Sequence, residues 1–150
     1  MFDIDKEFNE PIGDWDVTQV TNMRYMFSYA KEFNQPIGNW DVTHVTDTDS
    51  MFENAISFNQ PIGDWDVSNV TNMYHMYSYN IKFNQIISSW NTSKVSNMQQ
   101  MFYYAMEFNQ NLSNWDVAEV LNMYNMFGGC AKFNNGGSPL TWTTSKLTNM

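Results

Sequence analysis

Six aspartates flank tryptophans in this 150-residue chain: Asp14, Asp16, Asp41, Asp64, Asp66 and Asp116. Carboxylates so placed suit two kinds of chemistry. Each can accept a hydrogen bond from the N–H two residues on, as in an Asx-turn, while water screens the charge. Alternatively, hard cations such as Ca²⁺ bridge successive units through oxygen ligands. One row is broken by Asn39, Ser89 and Asn114 and the other by Asn91, and no glycine-rich calcium-binding nonapeptide accompanies them. No metal site and no cofactor is therefore expected, with calcium kept as the alternative reading of the aspartates.

The remaining reactive residues are sparse. His44 and His75 lie far from each other and from the single cysteine, and both read as solvated turn residues. Cys130, being alone, excludes an intrachain disulfide framework or a multi-cysteine metal site. Methionines spaced with phenylalanines at i, i+3 read as core and not as soft-metal ligands. The motifs G-x-S-x-G, H-E-x-x-H, the P-loop and G-x-G-x-x-G are missing, and the chain reads as non-enzymatic. Asn69-Val70-Thr71, Asn91-Thr92-Ser93 and Asn111-Leu112-Ser113 fit the glycosylation pattern, a short match that arises often by chance.

With 7 basic and 16 acidic residues the formal charge is −9. Nucleic acid and anionic membrane surfaces select for Lys and Arg and are not expected partners. Hydrophobic residues make up 43% and aromatics 17%, which argues for an ordered core and against disorder. No apolar run approaches the roughly 20 residues that span a bilayer. Residues 1–10 lack the basic start and apolar run of a signal peptide.

The elements that position these residues follow from a repeat. Phe8, Phe33, Phe58, Phe83, Phe108 and Phe133 each precede an asparagine and stand 25 residues apart. Trp15, Trp40, Trp65, Trp90 and Trp115 keep the same step, as do Val20 through Val120 and Met26 through Met126. Met1 and Phe2 fall in phase with Met26 and Phe27. The last unit carries the insertion Asn135-Gly136-Gly137-Ser138-Pro139-Leu140, after which Trp142, Leu147 and Met150 resume the pattern. The expectation is one domain of six repeats, at about 1–25, 26–50, 51–75, 76–100, 101–125 and 126–150, belonging to a longer array.

Within a unit, Met23, Met26, Phe27 and Ala30 lie at i, i+3, i+4 and i+7, the stripe of a short helix, with Thr21 or Asn22 as its cap. The β-branched residues of 16–20 suggest a short parallel strand. The expected fold is therefore an α/β repeat solenoid, a leucine-rich-repeat-like right-handed coil with one strand and one helix per turn. Stacking superimposes identical side chains. Trp15, Trp40, Trp65, Trp90 and Trp115 form one expected column, and Asn9, Asn34, Asn59, Asn84, Asn109 and Asn134 a structural amide ladder. A second amide column is expected at Asn22, Asp47, Asn72, Asn97, Asn122 and Asn149.

Function then falls to positions that vary within the fixed frame. One outward slot reads Tyr29, Asn54, Tyr79, Tyr104, Gly129, and its neighbour Ser28, Glu53, Ser78, Tyr103, Gly128. A third reads Arg24, Asp49, Tyr74, Gln99, Tyr124. The candidate binding residues are Tyr29, Tyr74, Tyr79, Tyr103, Tyr104 and Tyr124, amphipathic side chains of a kind enriched in recognition surfaces. The alternative is that these rings lie flat and cover methionines.

The unit F-N-Q-P-I-G-x-W-D-V-S-x-V-T-N-M-x-x-M, carried here by Phe58 to Ile62, Trp65 to Met73 and Met76, resembles the repeat of BspA-like leucine-rich-repeat surface proteins. It is closest to the branch of unknown function common in mycoplasma-type lipoproteins. The resemblance covers the whole chain. Thr48, Thr92, Asn80 and Cys130 depart from the pattern, and Val20 stands where the ordinary leucine-rich repeat has its ladder asparagine. The resemblance implies an extracellular or cell-surface protein with adhesion or partner binding as its role, and no catalytic residues. The expected function is a non-catalytic module presenting a repetitive face to a protein or glycan. The alternative is a spacer, stalk or coat component that assembles with copies of itself.

Overall fold

The computed structural model describes residues 6–150; the phase of Met1 and Phe2 lies outside that range. Met23, Phe27 and Ala30 are buried, at 2%, 0% and 0% exposure, yet no helix presents them. Residues 23–30 form overlapping turns instead. Met26 N–H bonds to Met23 O at 3.2 Å, Ser28 N–H to Tyr25 O at 3.2 Å and Ala30 N–H to Phe27 O at 3.1 Å. The intervening N–H groups leave the segment. Those of Met23, Tyr25, Phe27 and Tyr29 donate to the carbonyls of Asp47, Asp49, Met51 and Glu53 in the following repeat, at 2.7–2.9 Å.

The expected α/β solenoid is thus overturned. Among the described residues the one helical element is a three-residue 3₁₀ turn, Asn135–Gly137. β-pairing is confined to isolated parallel bridges that link Asn22, Asp47, Asn72, Asn97, Asn122 and Asn149 in succession. The physical reason lies in the spacing: overlapping four-residue turns place i and i+3 on one side as a helix does. An isolated helix of two turns is marginal, whereas the chain here satisfies half its N–H groups locally and half across the repeat boundary. The strand expected at 16–20 is also a turn, closed by Val20 N–H to Val17 O at 2.9 Å.

The crossing bonds require unusual backbone. Two positions in every complete run have positive φ: Tyr25, Ser50, His75, Gln100 and Asn125 in one slot, and Tyr29, Asn54, Tyr79, Tyr104 and Gly129 in the other. A third turn residue with φ > 0 is the signature of a type II turn. Non-glycine residues held there cost about 1–3 kcal/mol each, so the surrounding contacts must over-determine the conformation.

Those contacts are largely aromatic. Phe8, Phe33, Phe58, Phe83, Phe108 and Phe133 stack along the repeats with centroids 5.7–6.2 Å apart. A second column runs through Phe27, Phe52, Tyr77, Phe102 and Phe127 at 5.5–5.8 Å. Inside each repeat the two columns touch, as in Phe52 and Phe58 at 4.0 Å. Ile12, Ile37, Ile62, Ile87 and Leu112 and most of the methionines complete one continuous core. The last unit absorbs its insertion around Asn135, which is 3% exposed and whose Oδ1 accepts Leu112 N–H at 2.7 Å. Trp142 thereby returns to the column, 6.5 Å from Trp115.

Candidate functional site

Three of the six candidate tyrosines come together on the turn run. Tyr79 and Tyr104 stack at 5.2 Å with planes 8° apart. Tyr103 meets Tyr79 edge-on at 5.4 Å and Tyr104 at 4.7 Å. Tyr79 and Tyr104 are 40% and 42% exposed. In the next repeat a Cβ on Gly129 would lie 2.9 Å from the Tyr104 ring, and one on Gly128 would lie 2.1 Å from Asn125 Oδ1 and 2.9 Å from the Tyr103 ring. Tyr79 and Tyr104 thus cover one face of each other while staying partly exposed.

The other three lie apart from the cluster. Tyr29 and Tyr124 are exposed but enter no ring pair with it. Tyr74 is half-buried and stacks on His75 at 4.0 Å. None of the six lies on a helix.

The asparagine ladder closes backbone gaps between repeats. The N–H groups of Asn34, Asn59, Asn84, Asn109 and Asn134 donate to Oδ1 of Asn9, Asn34, Asn59, Asn84 and Asn109, at 2.9–3.0 Å. Gln35, Gln60, Gln85 and Gln110 add amide bonds to the carbonyls of the same asparagines. Trp40, Trp65, Trp90 and Trp115 are buried, and each indole Nε1 donates to the carbonyl of Ile12, Ile37, Ile62 or Ile87. Trp15 stands at 45% exposure.

The aspartates form Asx-turns at Asp16, Asp41, Asp66 and Asp116, whose Oδ1 atoms accept the N–H two residues on. Asn91 does the same in the interrupted row. Hydrogen bonds from Thr18, Thr43 and Ser68 hold the carboxyls of Asp16, Asp41 and Asp66 below the ordinary carboxylate value. The bridge column, expected at a helix cap, uses the same device: Asn22, Asp47, Asn72, Asn97 and Asn122 each receive the N–H two residues on. Among the described residues, no group of three or more His, Cys, Asp or Glu is arranged to hold a metal.

Two polar groupings escaped the sequence reading. Asp49, 5% exposed, bonds to Arg24 Nη2 at 2.8 Å and to Ser50 Oγ at 2.8 Å; burial raises its carboxyl despite both partners. His75 is not a solvated turn residue. Its Nε2 lies 2.8 Å from Gln100 Oε1 and its Nδ1 3.6 Å from Glu53. Burial opposes its charged form, but Glu53 and Gln100 outweigh that and raise it above 6.5. The tolerance of Asn54, Asn125 and Gly129 for positive φ was the available signal for this backbone. Cys130 is partly buried, and burial pushes its thiol up to about 11.

These features define a class: a repeat protein whose 25-residue units lock together through turns, amide ladders and aromatic columns. Residues 1–80 and 61–150 each match the family described as Mycoplasma protein of unknown function, DUF285, and the chain belongs to that family. No curated protein matches it, and no solved structure does.

Proposed function

We propose that the chain is a non-catalytic binding module of a BspA-like surface-exposed or secreted protein, presenting its tyrosine-bearing face to a macromolecular partner. The observation that carries this reading is the cluster of Tyr79, Tyr103 and Tyr104, held at the surface by a strained and recurrent backbone. Rigid tyrosines supply contact area at low entropic cost.

The test is binding of the fluorescently labelled chain to intact animal cells, before and after treatment with protease or glycosidase. Tyr79→Ser combined with Tyr104→Ser should reduce binding at least about tenfold, a loss of about 1.4 kcal/mol, with unchanged Tm. Loss on protease treatment identifies a protein partner, and loss on glycosidase treatment a glycan. Equal binding by the double variant would overturn the proposal.

A further inference from the structure

Tyr79 and Tyr104 occupy the same slot one repeat apart, and both have a φ of 56°. Tyr79 N–H donates to Tyr103 O at 2.7 Å, which fixes the spacing of the two backbones at this point. Like backbones launch like side chains, so the two phenols run side by side in the same direction. Their rings lie 5.2 Å apart with planes 8° from parallel, so the carbons ortho to one hydroxyl face those ortho to the other. Tyr103 stands across both rings, at 88° to Tyr79 and 79° to Tyr104. Loss of hydration raises its phenol, and charge and hydrogen-bond interactions with the Tyr79 and Tyr104 phenols add to that.

The pair is isolated from other tyrosines. Asn54 precedes Tyr79 in this slot and Gly129 follows Tyr104, so the row of rings is limited to these two. Tyr29 and Tyr124 are exposed but stack on neither ring. Tyr77 is fully buried, out of reach of a dissolved oxidant, whereas Tyr79 and Tyr104 are both open to solvent in part.

We propose that Tyr79 and Tyr104 form an oxidative cross-linking site, at which hydrogen peroxide, spent by a peroxidase one electron at a time, joins the two rings through a carbon–carbon bond. Each phenol gives up one electron and its hydroxyl proton and becomes a phenoxyl radical. The two unpaired electrons pair as the new bond between facing ortho carbons. The hydrogens on those carbons then move to the phenoxyl oxygens, which restores both aromatic rings and both hydroxyls. The two electrons and two protons removed at the start reduce one peroxide to two waters. Holding the reacting groups side by side favours this coupling over an encounter between chains. The product ties two adjacent repeats together, and a cross-link of that kind stabilises by restricting the unfolded chain. It supplies a staple that a chain whose one cysteine is Cys130 cannot make as an intrachain disulfide. The inference goes beyond the binding reading, since it needs no partner and holds whether or not the tyrosine face binds one.

Oxidation of the purified chain at low micromolar concentration, with hydrogen peroxide and a haem peroxidase, tests it. The monomer should lose two hydrogen atoms in mass and gain the blue fluorescence of a biphenol. Trypsin should then release residues 32–82 joined to residues 95–132, with fragmentation placing the bond between Tyr79 and Tyr104. Tyr79→Phe and Tyr104→Phe should each lose nearly all of the linked monomer, and Tyr103→Phe should keep it. A wild type that yields no linked monomer, a product that is chiefly intermolecular, a bond mapped to Tyr29, Tyr103 or Tyr124, or a Tyr79→Phe variant that links as the wild type does would overturn the proposal.

Discussion

Asn84 donates its backbone N–H to Oδ1 of Asn59, 25 residues earlier in the chain, at 3.0 Å, and Gln85 Nε2 reaches both that oxygen and the Asn59 carbonyl. One side-chain amide thus serves a backbone gap that neither helix nor sheet closes. Asn59→Ala leaves the Asn84 N–H without its acceptor and Gln85 Nε2 with the Asn59 carbonyl alone, and should cost about 0.5–1.5 kcal/mol. Asn59→Asp keeps an acceptor in place and should cost less. Urea unfolding of both variants checks this, and equal losses would show that the oxygen is not what matters.

Tyr77 occupies a position filled elsewhere by phenylalanine, between Phe52 and Phe102 in the aromatic column. Its side chain is fully buried, and its hydroxyl finds no hydrogen-bond partner, nor do Ser78 Oγ and Asn80 Nδ2 beside it in sequence. Burial alone pushes the phenol well above its ordinary value. Removing an unsatisfied hydroxyl while keeping the ring should stabilise the protein by about 1 kcal/mol. Tyr77→Phe should therefore raise the urea midpoint with an unchanged slope. A lowered midpoint would mean that the hydroxyl has a partner in solution.

The sequence was legible where side-chain identity alone decides position. The 25-residue step put Phe33 over Phe8 and Trp115 over Trp90, because a repeat that buries its apolar edge must superimpose like on like. It was misleading for Met23, Met26, Phe27 and Ala30. Their spacing fits a helix, but it fits consecutive turns equally well, and only the destination of alternate N–H groups separates the two. Val17 and Val20 misled in the same way, since their β-propensity reflects burial as much as backbone. The tyrosines were grouped by slot, yet slot does not fix side-chain direction: Tyr79, Tyr103 and Tyr104 converge, while Tyr74 turns onto His75.

The neighbourhood of His75 gives a pH dependence whose sign is fixed. Its folded pKa lies above the ordinary 6.5 because Glu53 and Gln100 outweigh burial. A group raised on folding contributes stability that is complete below its unfolded value and lost as pH rises through its folded value. Asp49, raised by burial, acts with the same sign, and a His75→Gln variant isolates the histidine. The wild-type Tm should fall as pH rises from below 6.5 to above it, and the variant should lose most of that fall. Parallel pH profiles would show that the imidazole does not respond as described.

The most direct measurement of the account is the partner of each crossing N–H, read by NMR couplings transmitted through hydrogen bonds. The account predicts couplings from Tyr77 N to the Met101 carbonyl carbon and from Tyr79 N to that of Tyr103, pairs 2.8 and 2.7 Å apart between nitrogen and oxygen. A coupling from Tyr77 N to the Met73 carbonyl carbon, the α-helical partner four residues back, would contradict it.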